Sequence, residues 1–170
     1  MNVSASTIQY QITALPTPGL FQFTYELIGF SFMAGQQLDI SFNPGLYGSL
    51  SDPVAGSGFT GVMVLQPNDP STGVPGDYLA TALVNNPSLS GTFSVDFTYL
   101  NGSTSIGSQN SSQPYTVYDF SDGVNVAASG QTIQDQTGTV PEPASLSITA
   151  VGLLLIGACS FLRRRLRGAA

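Results

Sequence analysis

Apolar residues recur at every second position in several stretches of this chain, and that period decides its fold class. Ile8, Tyr10 and Ile12 are spaced in this way, as are Phe21, Phe23, Tyr25 and Leu27, then Leu38, Ile40 and Phe42, and finally Phe93, Val95, Phe97 and Tyr99. Successive side chains of an extended strand point to opposite faces, so a period of two marks a strand with one dry face and one wet face. The intervening Gln22, Thr24 and Glu26, and likewise Ser94, Asp96 and Thr98, supply the wet face. One-sided burial of this kind belongs to antiparallel sheets.

Less regular strand candidates lie at 59–65, 78–84, 115–120 and 124–127, separated by turn clusters such as NPG, PNDPSTGVPGD, NNPS and NGSTS. No stretch before Ala144 repeats its apolar residues at a spacing of about 3.6. The expected fold class is therefore all-β, an antiparallel β-sandwich or jelly-roll-like domain of about eight short strands over residues 1–129. Residues 130–139, GQTIQDQTGT, read as a short last strand followed by a flexible linker, and 101–113 read as a long exposed hairpin loop. A chain of 170 residues has room for one such domain and a tail.

Charge divides the chain sharply. The sequence has no lysine and no histidine, and its four cations, Arg163, Arg164, Arg165 and Arg167, all follow residue 162. Before Val140 stand nine carboxylates (Glu26, Asp39, Asp52, Asp69, Asp77, Asp96, Asp119, Asp122 and Asp135) and no cation. Such a surface cannot neutralise phosphates, which excludes nucleic acid as a partner of this region. Nor can its side chains form salt bridges with one another, so stability must come from apolar burial and hydrogen bonding. The lone Cys159 excludes a disulfide framework.

The tail has its own physics. From Ala144 to Leu162 there are nineteen uncharged residues, thirteen of them apolar, which as a helix would span about 28 Å, close to the hydrocarbon thickness of a bilayer. Ser145, Ser147, Thr149 and Ser160 have short hydroxyls that can bond back to helical carbonyls in lipid. The segment is expected to be one transmembrane helix. Arginines abutting a span stay on the cytoplasmic side, so the preceding domain should face outward. Use of RRRLR as a nucleic-acid patch fits poorly with a cluster set directly against a membrane span.

Val140, Pro141, Glu142 and Pro143, followed by this span and then by the arginine cluster, resemble the PEP-CTERM sorting signal of bacterial exported proteins. The likeness covers residues 140–167. It implies recognition by an exosortase, an integral-membrane protease with a cysteine nucleophile, and removal of the span during sorting to the cell surface. It also implies an association with exopolysaccharide or biofilm. Independently, Pro141 and Pro143 remove two backbone donors and keep the segment extended, the form a protease needs. Glu142 sets a carboxylate at the outer interface. The opening MNVSASTIQYQITALP has neither a basic n-region nor an apolar h-region of about seven residues, so a leader upstream of Met1 is expected. A tail-anchored cytosolic protein is the alternative.

Without histidine, lysine or a thiol outside the tail, a serine triad, a Schiff base and an imidazole or thiolate metal site all lack their parts, and no cofactor is expected. A carboxylate pair for glycoside hydrolysis stays open in principle. Asp119 and Asp122, in DFSDG, are weak Ca²⁺ candidates, with turn solvation as the plainer role. Tyr10, Tyr47, Tyr78, Tyr115 and Tyr118 are candidates for glycan contact, although the alternation places most of these rings in the core. Sequons at Asn2, Asn101 and Asn110 mark exposed turns. The expected function is a non-enzymatic exported surface or matrix protein, with a secreted carbohydrate-binding domain as the alternative.

Overall fold

The computed structural model describes residues 6–67, 75–100 and 112–135. Among these residues there is no helix, and the chain forms ten strands. They are β1 (Thr7–Ala14), β2 (Leu20–Ile28), β3 (Gln37–Phe42), β4 (Tyr47–Val54), β5 (Phe59–Leu65), β6 (Gly76–Ala82), β7 (Phe93–Tyr99), β8 (Pro114–Asp119), β9 (Asn125–Gln131) and β10 (Ile133–Gln134). One five-stranded sheet has the order β10-β1-β2-β7-β4 and the other the order β5-β6-β3-β8-β9. Every pairing is antiparallel except that of β10 with β1, which is parallel. The expected transmembrane segment 144–162 lies outside the described residues.

The two sheets meet through aromatic rings, the arrangement of a β-sandwich. Phe23 of β2 meets Phe42 of β3 edge to face at 5.9 Å, Tyr25 of β2 lies 6.1 Å from Tyr78 of β6, and Phe59 of β5 meets Phe93 of β7 at 5.1 Å. These rings come from the alternating positions: β2 buries Phe21, Phe23, Tyr25 and Leu27, and β3 buries Leu38, Ile40 and Phe42. An aromatic side chain buries about 150–250 Å², so a core this rich in rings can hold a domain that has no basic side chain to form ion pairs.

The structure adds to the expected strand set and alters it. β4 was not anticipated, because YGSLSDPV carries Gly48, Asp52 and Pro53 and its pairing with β7 shifts register twice, which destroys the period of two. Asp52 takes a left-handed φ of 48° at the second of these irregularities. β6 begins at Gly76 and ends at Ala82, so Leu83 and Val84 lie beyond it, exposed. Nor are β7 and β8 a hairpin around 101–113: β7 pairs with β2 and β4, whereas β8 pairs with β3 and β9, so the connection passes from one sheet to the other.

Pairing also continues past residue 129. β9 reaches Gln131, and the short last strand is β10, in register Gln9 with Ile133 and Tyr10 with Gln134. The Asp135 N–H donates to the Tyr10 carbonyl at 2.9 Å, and Gln11 Nε2 donates to Asp135 Oδ2 at 2.7 Å. Residues 136–139 of the expected linker lie outside the described residues.

Candidate functional site

The sorting residues Val140, Pro141, Glu142 and Pro143, and the topology residues Arg163, Arg164, Arg165 and Arg167, lie outside the described residues. The weak cation candidates do not. Asp119 closes β8, where its Oδ1 accepts from the Ser121 N–H at 2.9 Å and its Oδ2 accepts from Gln36 Nε2 at 3.0 Å. The turn amide first, and then the Gln36 amide, hold its carboxyl below the ordinary carboxylate range. Asp122 is exposed in the following turn. Among the described residues no three acidic, histidine or cysteine side chains gather within reach of one ion. Asp119 as placed is a turn cap.

Of the five tyrosines considered for glycan contact, Tyr10, Tyr47, Tyr78 and Tyr115 are buried in the core. Burial raises the hydroxyl pKa of Tyr10, Tyr25 and Tyr78, as expected of phenols kept neutral among apolar neighbours. Tyr118 differs. It is half-buried on the outer face of the second sheet, with its ring 6.1 Å from that of the exposed Phe120 at a tilt of 37°. Val126 on β9 is its cross-strand neighbour and is 61% exposed.

The same outer face carries the most perturbed carboxyl among the described residues. On β3 the positions between the core residues are Gln37, Asp39 and Ser41, and register sets Asp39 beside Leu79 of β6 and Thr116 of β8. Asp77 of β6 pairs with Ser41, one step diagonally from Asp39. Removal from water, and then the Asp77 charge, push the Asp39 carboxyl up to about 7. Its Oδ1 is buried without a hydrogen-bond partner. Asp77 is also raised by burial, although the Ser41 hydroxyl, which donates to it at 3.0 Å, works against the shift. A carboxyl of this kind holds a proton near neutral pH with no cation in this part of the chain to stabilise its charged form.

A cavity of about 430 Å³ lies at the end of the sandwich where β3 leads towards β4 and the chain enters β8, with Phe42, Pro44, Tyr47, Pro75 and Gln113 among its walls. Gln113 is 1% exposed. Its Oε1 accepts from the Tyr25 hydroxyl at 3.2 Å and from the Thr132 hydroxyl at 3.3 Å, while its backbone exchanges bonds with Thr132. Its Nε2 is buried without a partner. Turning the amide over does not help, because Nε2 would then meet the two hydroxyls and Oε1 would be stranded. An unmet buried group of this type costs about 1–3 kcal/mol.

Neither the carboxyl pair nor this glutamine was singled out from sequence. Asp39 could be recognised as an outward position between Leu38 and Ile40, but its neighbour Asp77 is 38 residues away and is brought near by register alone. Gln113 closes a polar run that read as exposed loop, and it is buried by its two-way pairing with Thr132.

Fold and site together define an acidic, cation-free β-sandwich with an aromatic core, whose described polar clusters are structural caps and carboxyls on an open sheet face. The chain matches no family model and no curated protein.

Proposed function

We propose that the chain is a non-enzymatic exported surface or extracellular-matrix protein, delivered outward, held for a time by a membrane helix over 144–162, and processed by an exosortase-type protease at Val140, Pro141, Glu142 and Pro143. Arg163, Arg164, Arg165 and Arg167 hold the C-terminus inside. One observation supports this reading best: the compact unit that holds all the described strands ends at Asp135, five residues before Val140. β10 is tied to β1, and every buried hydrophobic residue of the described core lies between Ile8 and Val117. Cleavage at 140–143 would therefore remove no described core residue.

Production in a host that has an exosortase, with intact mass measured on surface and membrane fractions, tests the proposal. The expected product lacks the span 144–162, and Pro141→Ala with Glu142→Ala leaves the full chain in the inner membrane. A mature protein that still ends at Ala170 in such a host would sink the sorting claim.

A second reading, glycan binding, has one supporting observation in the pair formed by the half-buried Tyr118 and the exposed Phe120 on the outer sheet face, since an aromatic face can stack on a sugar ring. Loss of polysaccharide retention in Tyr118→Ala, with unfolding unchanged, would favour it. Association with exopolysaccharide through this face is compatible with surface sorting.

A further inference from the structure

A two-sheet sandwich has open edges, and an exposed edge invites strand addition unless something blunts it. The edge strands here are β10, β4, β5 and β9, and the first three are blunted. On β4, Gln66 Oε1 accepts from the Leu50 N–H at 2.8 Å and Gln66 Nε2 donates to the Leu50 carbonyl at 2.7 Å, so the amide occupies both groups as a neighbouring strand would. Pro53 and two register shifts disrupt the remainder of that strand. β10 is two residues long and is followed at once by the Asp135 carboxylate. β5 is interrupted between Thr60 and Met63, where Gly61 takes a φ of 58°.

β9 is the open edge. Six of its seven residues are exposed, and the run 124–132 contains no proline and no charge. Its single shift against β8 falls between Val126 and Ala128, which leaves 128–131 in unbroken register. The Thr132 N–H donates to the Gln113 carbonyl at 2.8 Å, so it points towards β8. In an antiparallel ladder this direction alternates from residue to residue, which turns the backbone groups of Ala128 and Gly130 towards β8 and those of Ser129 and Gln131 away from it. The register agrees, since Gln131 stands opposite Pro114, which has no N–H to exchange. Among the described residues only β8 pairs with β9, so the N–H and carbonyl of Ser129 and Gln131 face outward at the spacing of a strand ladder.

Charge selects the partner. The hairpin at the start of β9 carries two carboxylates: Asp119 stands opposite Asn125, and Asp122 is exposed in the turn. The Ser121 N–H and the Gln36 amide hold Asp119 ionised without neutralising it. No basic side chain precedes residue 140, so none of the nine carboxylates before that point has a counter-charge within the domain. A second copy brings only more acids and is repelled, whereas a segment bearing lysine or arginine is drawn in. Beside the two acids lie Phe120, Val124 and Val126, exposed by 48%, 72% and 61%, which offer apolar side chains of an added strand a surface to cover.

We infer that the free edge of β9 is a docking site for an extended basic segment of another protein, which adds as a strand alongside Ser129 and Gln131 and sets a lysine or arginine against Asp119 and Asp122. Main-chain bonds hold the segment, and the acids choose it. This goes beyond the proposed surface role and does not depend on processing at the sorting motif.

The probe is a blocked peptide of alternating valine and threonine with a lysine pair at each end, titrated into the full-length chain in non-ionic detergent while NMR follows amide exchange. The expected result is saturable binding that slows exchange at Ser129 and Gln131 by about tenfold or more and that weakens as salt rises. The same peptide with glutamate in place of lysine should bind at least about tenfold more weakly. Ser129→Pro removes an outward N–H and no bond to β8, and should abolish the slowing at Gln131. Asp122→Asn, at an exposed turn position that keeps the test open should the proline variant unfold, should weaken binding about threefold or more. Glu26→Gln, exposed on the other sheet, should leave binding unchanged. Unchanged exchange at Ser129 and Gln131 up to about 1 mM peptide, equal binding of the glutamate peptide, or binding that Asp122→Asn leaves intact would overturn the inference. So would equal weakening by Glu26→Gln, or a dimer in sedimentation equilibrium that Ser129→Pro dissociates, since a second copy would then hold the edge.

Discussion

Phe23 and Phe97 stack 4.4 Å apart at 24°, although they are not cross-strand partners: register sets Phe97 opposite Phe21 and Phe23 opposite Val95. The diagonal contact lets Phe97 touch Phe21, Phe23, Tyr47 and Tyr99, binding three strands of the first sheet through one ring. Phe97→Ala should therefore cost about 3–5 kcal/mol, against about 1–2 kcal/mol for Phe97→Leu, which keeps most of the volume. Urea unfolding measures both. A loss below about 1 kcal/mol for the alanine variant would show that the ring network is not what holds this sheet.

Asp39 gives a pH dependence with a definite sign. Its folded-state pKa lies near 7, well above that of an unfolded aspartate, so across the interval between them the folded chain binds more protons than the unfolded chain. Its contribution is complete at low pH and is lost as pH rises through about 7. Asp77, displaced in the same direction, adds to this. Asp119 is displaced the opposite way and acts below the ordinary carboxylate range. Because the site is half-exposed and screened, about 1–2 kcal/mol of stability should be lost between pH 5 and pH 8. In Asp39→Asn the loss should be less than half as large. Stability that rises over this interval would contradict the assignment.

Gln66 is expected to matter more than an exposed glutamine usually does. Gln66→Ala leaves the Leu50 N–H and carbonyl to water and should cost about 1–2 kcal/mol. Gln66→Glu should be intermediate, since it keeps the acceptor and loses the donor. Amide exchange at Leu50 reports the effect locally, and unchanged protection in the alanine variant would show that the side chain does not guard the edge.

Truncation separates the domain from its tail. A chain stopped after Thr139 should unfold within about 0.5 kcal/mol of the full sequence, whereas one stopped after Gln131 should lose about 3 kcal/mol or more. The shorter chain lacks β10 and also Thr132, a fully buried residue that meets Gln113 through both backbone and hydroxyl. Equal melting temperatures for the two truncations would mean that the last strand contributes nothing.

The strands legible in the sequence are those whose burial is one-sided and unbroken. β1, β2 and β3 alternate cleanly because each pairs over most of its length without a register shift against β2, β7 or β6. On β7 the apolar alternation holds, but Ser94 and Asp96, expected on a wet face, are buried at 2% and 7% exposure, since β7 lies between β2 and β4 and Gln22 of β2 donates to Asp96. β4 was illegible for the converse reason, since bulges at an edge reset which face each side chain takes, and Asp52-Pro53 looks like a turn. The 101–113 run joins strands of different sheets and not the two strands of a hairpin. Local polarity marks a segment as a connection and does not say which sheet receives the next strand. Tyr118 and Tyr115 show the limit for site residues. They are three apart on β8, yet one is buried at 6% exposure while the other stays on the outer face, and the phase of the strand separates them.

The parallel pairing of β10 with β1 also has a mechanical meaning. Tension entering through Asp135 along the direction of β10 loads the Gln9–Ile133 and Tyr10–Gln134 pairs together, in shear along the strands. A strand peeled away perpendicular to its axis would instead lose its bonds one at a time. The Gln11–Asp135 bond lies in line with that load. A domain hung from its C-terminal side would thus meet drag from flow or from a neighbouring cell with its last few bonds sharing the force.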